Sequence, residues 1–187
     1  RRWLISISDA MEKDLIRIVR LTEDYEIKPF DCGNDDLNDF LLNDAKDYAL
    51  HRLAVTYLLE TEEETVGYFS VSNDKLSINE SDKPTWRRIK HLFDHRKHRS
   101  DYPAVKVGRL AVNKKYQGRD IGTDILSYIK CMFAENNRTG CAFITIDALK
   151  SAIPFYLKNR FRHLRKDALQ PDAETFQLYF DLAQLDS

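Results

Sequence analysis

The segment Arg109-Leu110-Ala111-Val112-Asn113-Lys114-Lys115-Tyr116-Gln117-Gly118-Arg119-Asp120-Ile121-Gly122-Thr123 holds the residue types best suited to chemistry. An apolar run feeds a basic loop with two glycines, and the loop opens a stretch with helical apolar spacing. At such a junction the first backbone N–H groups lack an intrahelical partner and the helix dipole is positive. That combination binds anions. Gly118 and Gly122 let the backbone approach a ligand closely, and Lys114, Lys115 and Arg119 add positive potential. The same residues also read as a plain strand-to-helix turn. No Gly-Lys-Ser/Thr follows, so the loop is not a Walker A element, and the absence of G-x-G-x-x-G argues against a dinucleotide fold.

Other candidate groups carry less signal alone. Tyr156 reads as a core aromatic at a helix end. Asp147, expected at the end of a buried strand, is a carboxylate suited to a base, a helix cap or a turn, and the base stays unassigned. Cys32, Cys131 and Cys141 form no C-x-x-C pair, which argues against structural zinc and a disulfide framework. Cys131 and Cys141 read as small buried hydrophobes. Residues 87–99 hold six Lys/Arg and three His, and Lys158, Arg160, Arg162, His163, Arg165 and Lys166 form a second basic run. Such runs contact RNA phosphates or serve as solvated surface. His91, His95 and His98 share a helical face, but their cationic surroundings oppose a metal, so no metal is expected. Glu60 to Glu64 reads as a solvated acidic turn.

The elements that must position these groups follow from periodicity. A strand over Ile16–Leu21 precedes a helix capped by Asn34, with Leu37, Phe40, Leu41, Ala45, Tyr48 and Ala49 on one face. Leu53–Leu59 and Thr65–Ser72 form an antiparallel hairpin. A short helix over Trp86–His98, a strand over Ala104–Val112 and a helix over Gly122–Asn136 come next. A strand over Phe143–Ile146, a helix over Ser151–Asn159 and a strand over Thr175–Phe180 complete the order. The strand–helix–strand units around 104–147 and 141–180 are candidate crossovers. The fold class is α/β (α+β): a mixed sheet covered by helices on both faces.

The 187 residues carry 29 Lys+Arg against 30 Asp+Glu, so no uniformly basic coat exists. The length and 43% hydrophobic content suit a core of ordinary size and exclude wholesale disorder. No apolar run spans a membrane, and no membrane partner is expected. Residues 1–10 are expected to be an N-terminal extension and 11–187 a single domain. The cysteine usage suits a reducing, cytoplasmic compartment.

Gln117–Gly122 resembles the Q/R-x-x-G-x-G/A motif of the GNAT N-acetyltransferases. Arg109-Leu110-Ala111-Val112 is similar to the strand that precedes that motif. Phe155-Tyr156 followed by Phe161 resembles the family's F-Y-x-x-x-G-F segment. The resemblance covers about residues 15–181. Phe30-Asp31-Cys32-Gly33, with Leu37 and Phe40-Leu41, is similar to the opening helix of acetyltransferase toxins that modify aminoacyl-tRNA, and Val66–Val71 to their third strand. Two positions depart: Asp120 stands at the motif's middle glycine, and Arg160 at the glycine before Phe161. Asp120 puts a carboxylate near a bound pyrophosphate unless it points away or caps the helix. Asn159 is expected to take the left-handed conformation in place of Arg160.

The resemblance implies a mostly antiparallel sheet with a splayed central strand pair that binds acetyl-CoA. Backbone of Leu110, Ala111 and Val112 would hold the pantetheine arm. Backbone of Gln117, Gly118, Arg119, Asp120, Ile121, Gly122 and Thr123 would hold the pyrophosphate. Tyr156 would act as general acid in direct transfer to an amine. The acceptor is an amine of unnamed identity, or the α-amine of aminoacyl-tRNA with residues 87–99 and 158–166 on the RNA. The resemblance allows a homodimer. A non-catalytic acyl-CoA-binding module is the alternative that Asp120 and Arg160 motivate.

Overall fold

The computed structural model describes residues 16–78, 83–91, 100–135, 137, 139–164 and 174–185. The extension expected at residues 1–10 lies outside them. Among the described residues seven strands form one mixed sheet: β1 Arg17–Arg20, β2 Val55–Glu60, β3 Thr65–Ser77, β4 Asp101–Val112, β5 Phe143–Leu149, β6 Arg162–His163 and β7 Thr175–Asp181. Their order is β1-β2-β3-β4-β5-β7-β6. The chain divides into two compact units, Arg1–Ser72 with Val107–Cys131 and Asn73–Lys106 with Met132–Ser187.

In the first unit β1, β2 and the start of β3 pair antiparallel, as the hairpin pattern predicts. The helical segment is α1 Asp35–Asp39, a π-helical turn over Phe40–Asp44, and α2 Ala45–Leu50. Asn34 caps α1 by accepting from Leu37 N–H at 3.1 Å, satisfying one of the orphan donors. Asp35 and Asp36 sit in the first turn, where the dipole favours them. Alternation along β3 splits its side chains between two layers. Tyr68 joins Leu21, Phe30, Phe40, Leu41, Ala45, Leu58 and Ala111 beneath α1 and α2. Phe69 faces the other way, stacked on Tyr57 at 5.1 Å and against Tyr128 at 6.1 Å. Tyr128 lies on α4 Ile121–Glu135, so helices cover both faces of this unit. Each Leu or Phe fully buried here contributes about 1.5–3 kcal/mol. Gly67 permits the close approach of α4: a Cβ there would meet Ala111 O at 2.9 Å and Ile125 Cδ1 at 3.2 Å.

In the second unit β4 and β5 are parallel, with Ala104, Val105 and Lys106 opposite Phe143, Ile144 and Thr145. The crossover expected around 104–147 is present, with α4 between the two strands. The one expected around 141–180 is not: β5 and β7 pair antiparallel from Phe143↔Asp181 to Leu149↔Thr175. The two-residue β6, which the sequence pattern does not reveal, borders β7. Trp86 and Ile89 of α3 Lys83–Lys90 pack against Leu76, Tyr102, Phe143, Leu164 and Tyr179. Phe180, the next residue along β7, meets Phe161 at 5.6 Å instead. No described helix is long and apolar enough to cross a membrane.

Candidate active site

The anion loop begins where β4 ends. Leu110, Ala111 and Val112 form the last turn-free residues of that strand; Ala111 is buried and its neighbours are half-buried. Asn113 is buried and braces the junction. Its backbone N–H donates to Val66 O at 2.8 Å and its Nδ2 to Thr65 O at 3.1 Å. Its Oδ1 accepts from Lys115 N–H at 3.1 Å, capping a 3-10 turn over Lys114–Tyr116.

That turn is fastened from two sides. Lys114 N–H donates to Asp31 O at 2.9 Å, and the Lys114 ammonium pairs with the Asp31 carboxylate. Lys114, with Gly33 N–H and the Asn38 amide, holds the Asp31 carboxyl down at about 2. Glu64, at the tip of the β2–β3 hairpin, accepts from Lys115 Nζ at 2.6 Å and Tyr116 OH at 2.9 Å. Lys115 is the larger cause of its lowered pKa. Gln117 Nε2 donates to Cys32 O and Val112 O, both at 2.9 Å.

These contacts correct two expectations. Lys114 and Lys115 do not stand as free positive charge over the loop, because Asp31 and Glu64 pair with them. The acidic stretch is not simply solvated. Glu62 and Glu63 are exposed, but Glu60 belongs to β2, is fully buried, and accepts from Tyr25 OH at 2.5 Å beside Lys28 and Arg17. Sequence reasoning gave Asp31, Glu64 and Asn113 no role in fastening this loop. The contacts that do so join Asp31 to Lys114, Glu64 to Lys115 and Tyr116, and Asn113 to Thr65 and Val66, tens of positions apart, where no local pattern points.

The loop then turns into α4 through two left-handed residues, Gly118 at φ +75° and Asp120 at φ +58°. At Gly118 nothing lies within 4 Å of an added Cβ, so its glycine answers backbone conformation and not crowding. Gly122 is helical, so positive φ is not what it supplies. Asp120 takes a left-handed conformation of the kind that favours glycine. Its carbonyl accepts the first helical bond, from Asp124 N–H at 3.0 Å. The N–H groups of Ile121 and Gly122 have no hydrogen-bond partner among the described residues, as expected for a first helical turn. Burial, and then the Asp120 charge, push the Asp124 carboxyl up. Arg119 lies over the Tyr116 ring at 5.6 Å. Thr123 O accepts from Ser127 Oγ inside α4. The helix N-terminus thus keeps donors for an anion, with Asp120 opposing it and Arg119 favouring it.

Tyr156 lies in the second unit, on α5 Ile153–Lys158, and is 9% exposed. Its position follows from how α5 ends. Phe161 N–H donates to Tyr156 O at 3.1 Å and Arg160 N–H to Leu157 O at 3.0 Å, the paired bonds of a Schellman cap. Arg160 takes φ +67° at the position where such a cap prefers glycine. Asn159, expected to be left-handed, has φ −86° and ψ 24°. The family's F-Y-x-x-x-G-F spacing therefore has a physical reading. The tyrosine and the last phenylalanine are the two ends of the cap's apolar contact, here 5.8 Å between ring centroids. Burial alone pushes the Tyr156 phenol up to about 12. The hydroxyl has no hydrogen-bond partner among the described residues.

Asp147 is neither a strand end nor a cap. It lies inside β5 opposite Gln177, and its carboxylate pairs with Lys106. Thr145, two residues earlier, donates to Asp74 at 2.5 Å. Of the cysteines, Cys141 is buried as expected; Cys131 is exposed, because the apolar stripe of α4 runs through Ile121, Ile125 and Ile129 and leaves it outside. In the basic runs Arg87, Arg160 and Arg162 are exposed, whereas Arg88 lies over the Tyr179 ring at 5.4 Å and Lys90 over Trp86 at 4.3 Å. Residues 92–99, with His95 and His98, and residues 165–166 lie outside the described ones.

Residues 52–163 match the model of the acetyltransferase (GNAT) domain. Solved structures share the fold across nearly the whole chain. A bacterial toxin superposes with a TM-score of 0.74 at 18% identity, covering 92% of this chain and 94% of that one. The AtaT toxin complexed with acetyl-methionyl-tRNAfMet gives 0.74 at 22% identity, covering 91% and 97%. A tyrosine-to-phenylalanine mutant of the KacT toxin gives 0.74 at 22% identity, covering 93% and 98%. With a domain match over more than half of its length and this fold, the chain belongs to the GNAT acetyltransferase family and is an N-acetyltransferase.

Proposed function

We propose that this enzyme uses acetyl-CoA to acetylate the α-amine of an aminoacyl-tRNA, with Tyr156 as general acid. The observation that carries the acyl-donor reading is the loop backbone. Gly118 and Asp120 are left-handed, and the chain enters α4 with the Ile121 and Gly122 N–H groups unpartnered. That arrangement fits a pyrophosphate, and backbone from Gln117 to Thr123 would hold it. Leu110, Ala111 and Val112 would line the pantetheine arm. The Val112 carbonyl already accepts from Gln117, which leaves Leu110 and the Val112 N–H as the more available groups there. An AtaT–antitoxin structure of the same fold holds acetyl-CoA, which supports the same donor here.

Acetyl-CoA supplies the acetyl group as a thioester. The acceptor amine, neutral, forms the new N–C bond as the C–S bond breaks. Tyr156 Oη gives its proton to the departing sulfur and regains one from the amine through solvent. A phenol at about 12 holds that proton at neutral pH. An α-amine, with a pKa of about 7.7–8.0, is partly neutral without a dedicated base. Asp147 is committed to Lys106 and offers little as one. The α-amine acceptor therefore suits a site in which no base is assigned.

The aminoacyl-tRNA acceptor draws support from the fold shared with AtaT in its complex with acetyl-methionyl-tRNAfMet. Arg87, Arg160 and Arg162 supply exposed cations for phosphates. The test is acetyl transfer from labelled acetyl-CoA to bulk charged tRNA, to uncharged tRNA, and to a panel of small amines and peptides. Labelled charged tRNA, with uncharged tRNA blank, is expected. Transfer confined to small amines or peptides would overturn the acceptor.

A further inference from the structure

We infer that Arg109 binds a phosphate of the acceptor, and so helps an aminoacyl-tRNA outcompete small amines. The inference rests on the acceptor proposed above. Arg109 lies on β4, one residue before the Leu110–Val112 segment. Its side chain is half-buried and its Nε is fully buried without a hydrogen-bond partner. The guanidinium carbon sits 4.8 Å from the centre of the Phe40 ring, and one terminal nitrogen donates to Gly108 O at 3.0 Å. Both contacts are with neutral groups. Among the described residues no carboxylate pairs with it.

Three other cations of the same unit behave differently. Lys114 pairs with Asp31, Lys115 with Glu64, and Lys28 lies beside Glu60. The unit thus neutralises the lysines that fasten its loops, whereas Arg109 on Phe40, like Arg119 on Tyr116, lies over a ring with no carboxylate paired to it among the described residues. A cation drawn partly out of water without a counter-ion is retained against a desolvation cost. A substrate anion relieves that cost. The planar fork of an arginine, fixed in direction by a ring and a carbonyl, matches two oxygens of a phosphate. Phe40, which carries the stack, opens the π-helical turn Phe40–Asp44, a wider turn of the kind found at functional sites. A small amine brings no phosphate, whereas the 3′ end of a charged tRNA does.

The experiment measures kcat/KM of the full chain and of Arg109→Gln on charged tRNA and on an amino-acid amide, with acetyl-CoA affinity measured in parallel. The ratio of the two kcat/KM values, tRNA over amide, is expected to fall about 10–100-fold, the loss appearing mainly in KM for tRNA. Arg109→Lys should recover part of it, since it restores charge without the fork. Equal losses on both acceptors, an unchanged ratio, or a loss carried by acetyl-CoA affinity overturns the inference. If the wild-type chain labels charged tRNA while the ratio holds, Arg109 alone is refuted. If the wild-type chain leaves charged tRNA unlabelled, the acceptor reading falls and this inference with it.

Discussion

Replacing Arg160 with glycine should make the protein more stable while leaving its cap intact. Arg160 sits at φ +67° as the left-handed residue of the Schellman cap that ends α5. For an L-residue with a Cβ this conformation costs roughly 1–2 kcal/mol. Glycine avoids that cost but adds about 0.4–1 kcal/mol of unfolded-state entropy to be lost on folding. The net gain for Arg160→Gly is therefore about 0–1.6 kcal/mol, centred on about 0.8 kcal/mol. In a chain of this length the central value is about 1–4 °C in melting temperature. The Arg160 side chain is exposed, so its removal disturbs little packing. Arg160→Ala isolates the backbone, since alanine also loses the guanidinium but keeps the Cβ. Thermal unfolding of the three proteins decides the matter: glycine above arginine, and alanine level with arginine or below. If alanine stabilises as much as glycine, the side chain and not the backbone carries the strain, and the reasoning fails.

Three further outcomes follow from the same geometry. Glu64→Ala removes a charge-assisted bond to Tyr116, about 1.5–3 kcal/mol, and an exposed pair to Lys115, about 0–1 kcal/mol of loop fastening. It should raise KM for acetyl-CoA about 10–100-fold in steady-state assays with little change in kcat, Glu64→Gln lying between. Gly67→Ala brings a Cβ against Ala111 O and Ile125 Cδ1 and should destabilise by about 1–3 kcal/mol, read by denaturant unfolding. The pH–rate profile should rise as the acceptor α-amine loses its proton near about 7.7–8.0 and then stay level to about pH 10. The Tyr156 phenol, raised to about 12 by burial, stays protonated across that window. A falling limb that begins below pH 10 would contradict its environment.

Much of the frame is visible to pattern reasoning because its causes are local. Asn34 caps α1, the 53–72 hairpin is two apolar, β-rich runs either side of an acidic turn, and the helix after Gly122 repeats its apolar side every three or four residues. The loop before α4 announces itself for the same reason. Asp120 and Arg160 look like breaks in the family pattern when identity alone is read, yet both backbones take the left-handed conformation that favours glycine. Conformation survives there because neighbouring bonds over-determine it. Asp124 N–H to Asp120 O enters one helix, and the Arg160 and Phe161 N–H groups close another. What pattern reasoning misses is long-range. Glu60 and Glu64 belong to one acidic run, but one is buried against Tyr25 and the other fastens a turn some fifty residues later. Asp147 looks like a candidate base until the parallel register brings Lys106 beside it. The antiparallel return of β7 has no local signature, since its side-chain alternation is the same in either direction.

The measurement that bears most directly on the account is thiol release from acetyl-CoA, with charged tRNA as acceptor, by the wild-type chain and by Tyr156→Phe, alongside calorimetric binding of acetyl-CoA to both. Phenylalanine keeps the ring contacts with Phe155 and Phe161 and removes only the hydroxyl. Acetyl-CoA binding should be retained with kcat lower by about 10²–10⁴-fold, the range for a lost general acid. Wild-type turnover by Tyr156→Phe would contradict the general-acid role, and would leave Tyr156 as the apolar end of the α5 cap and nothing more.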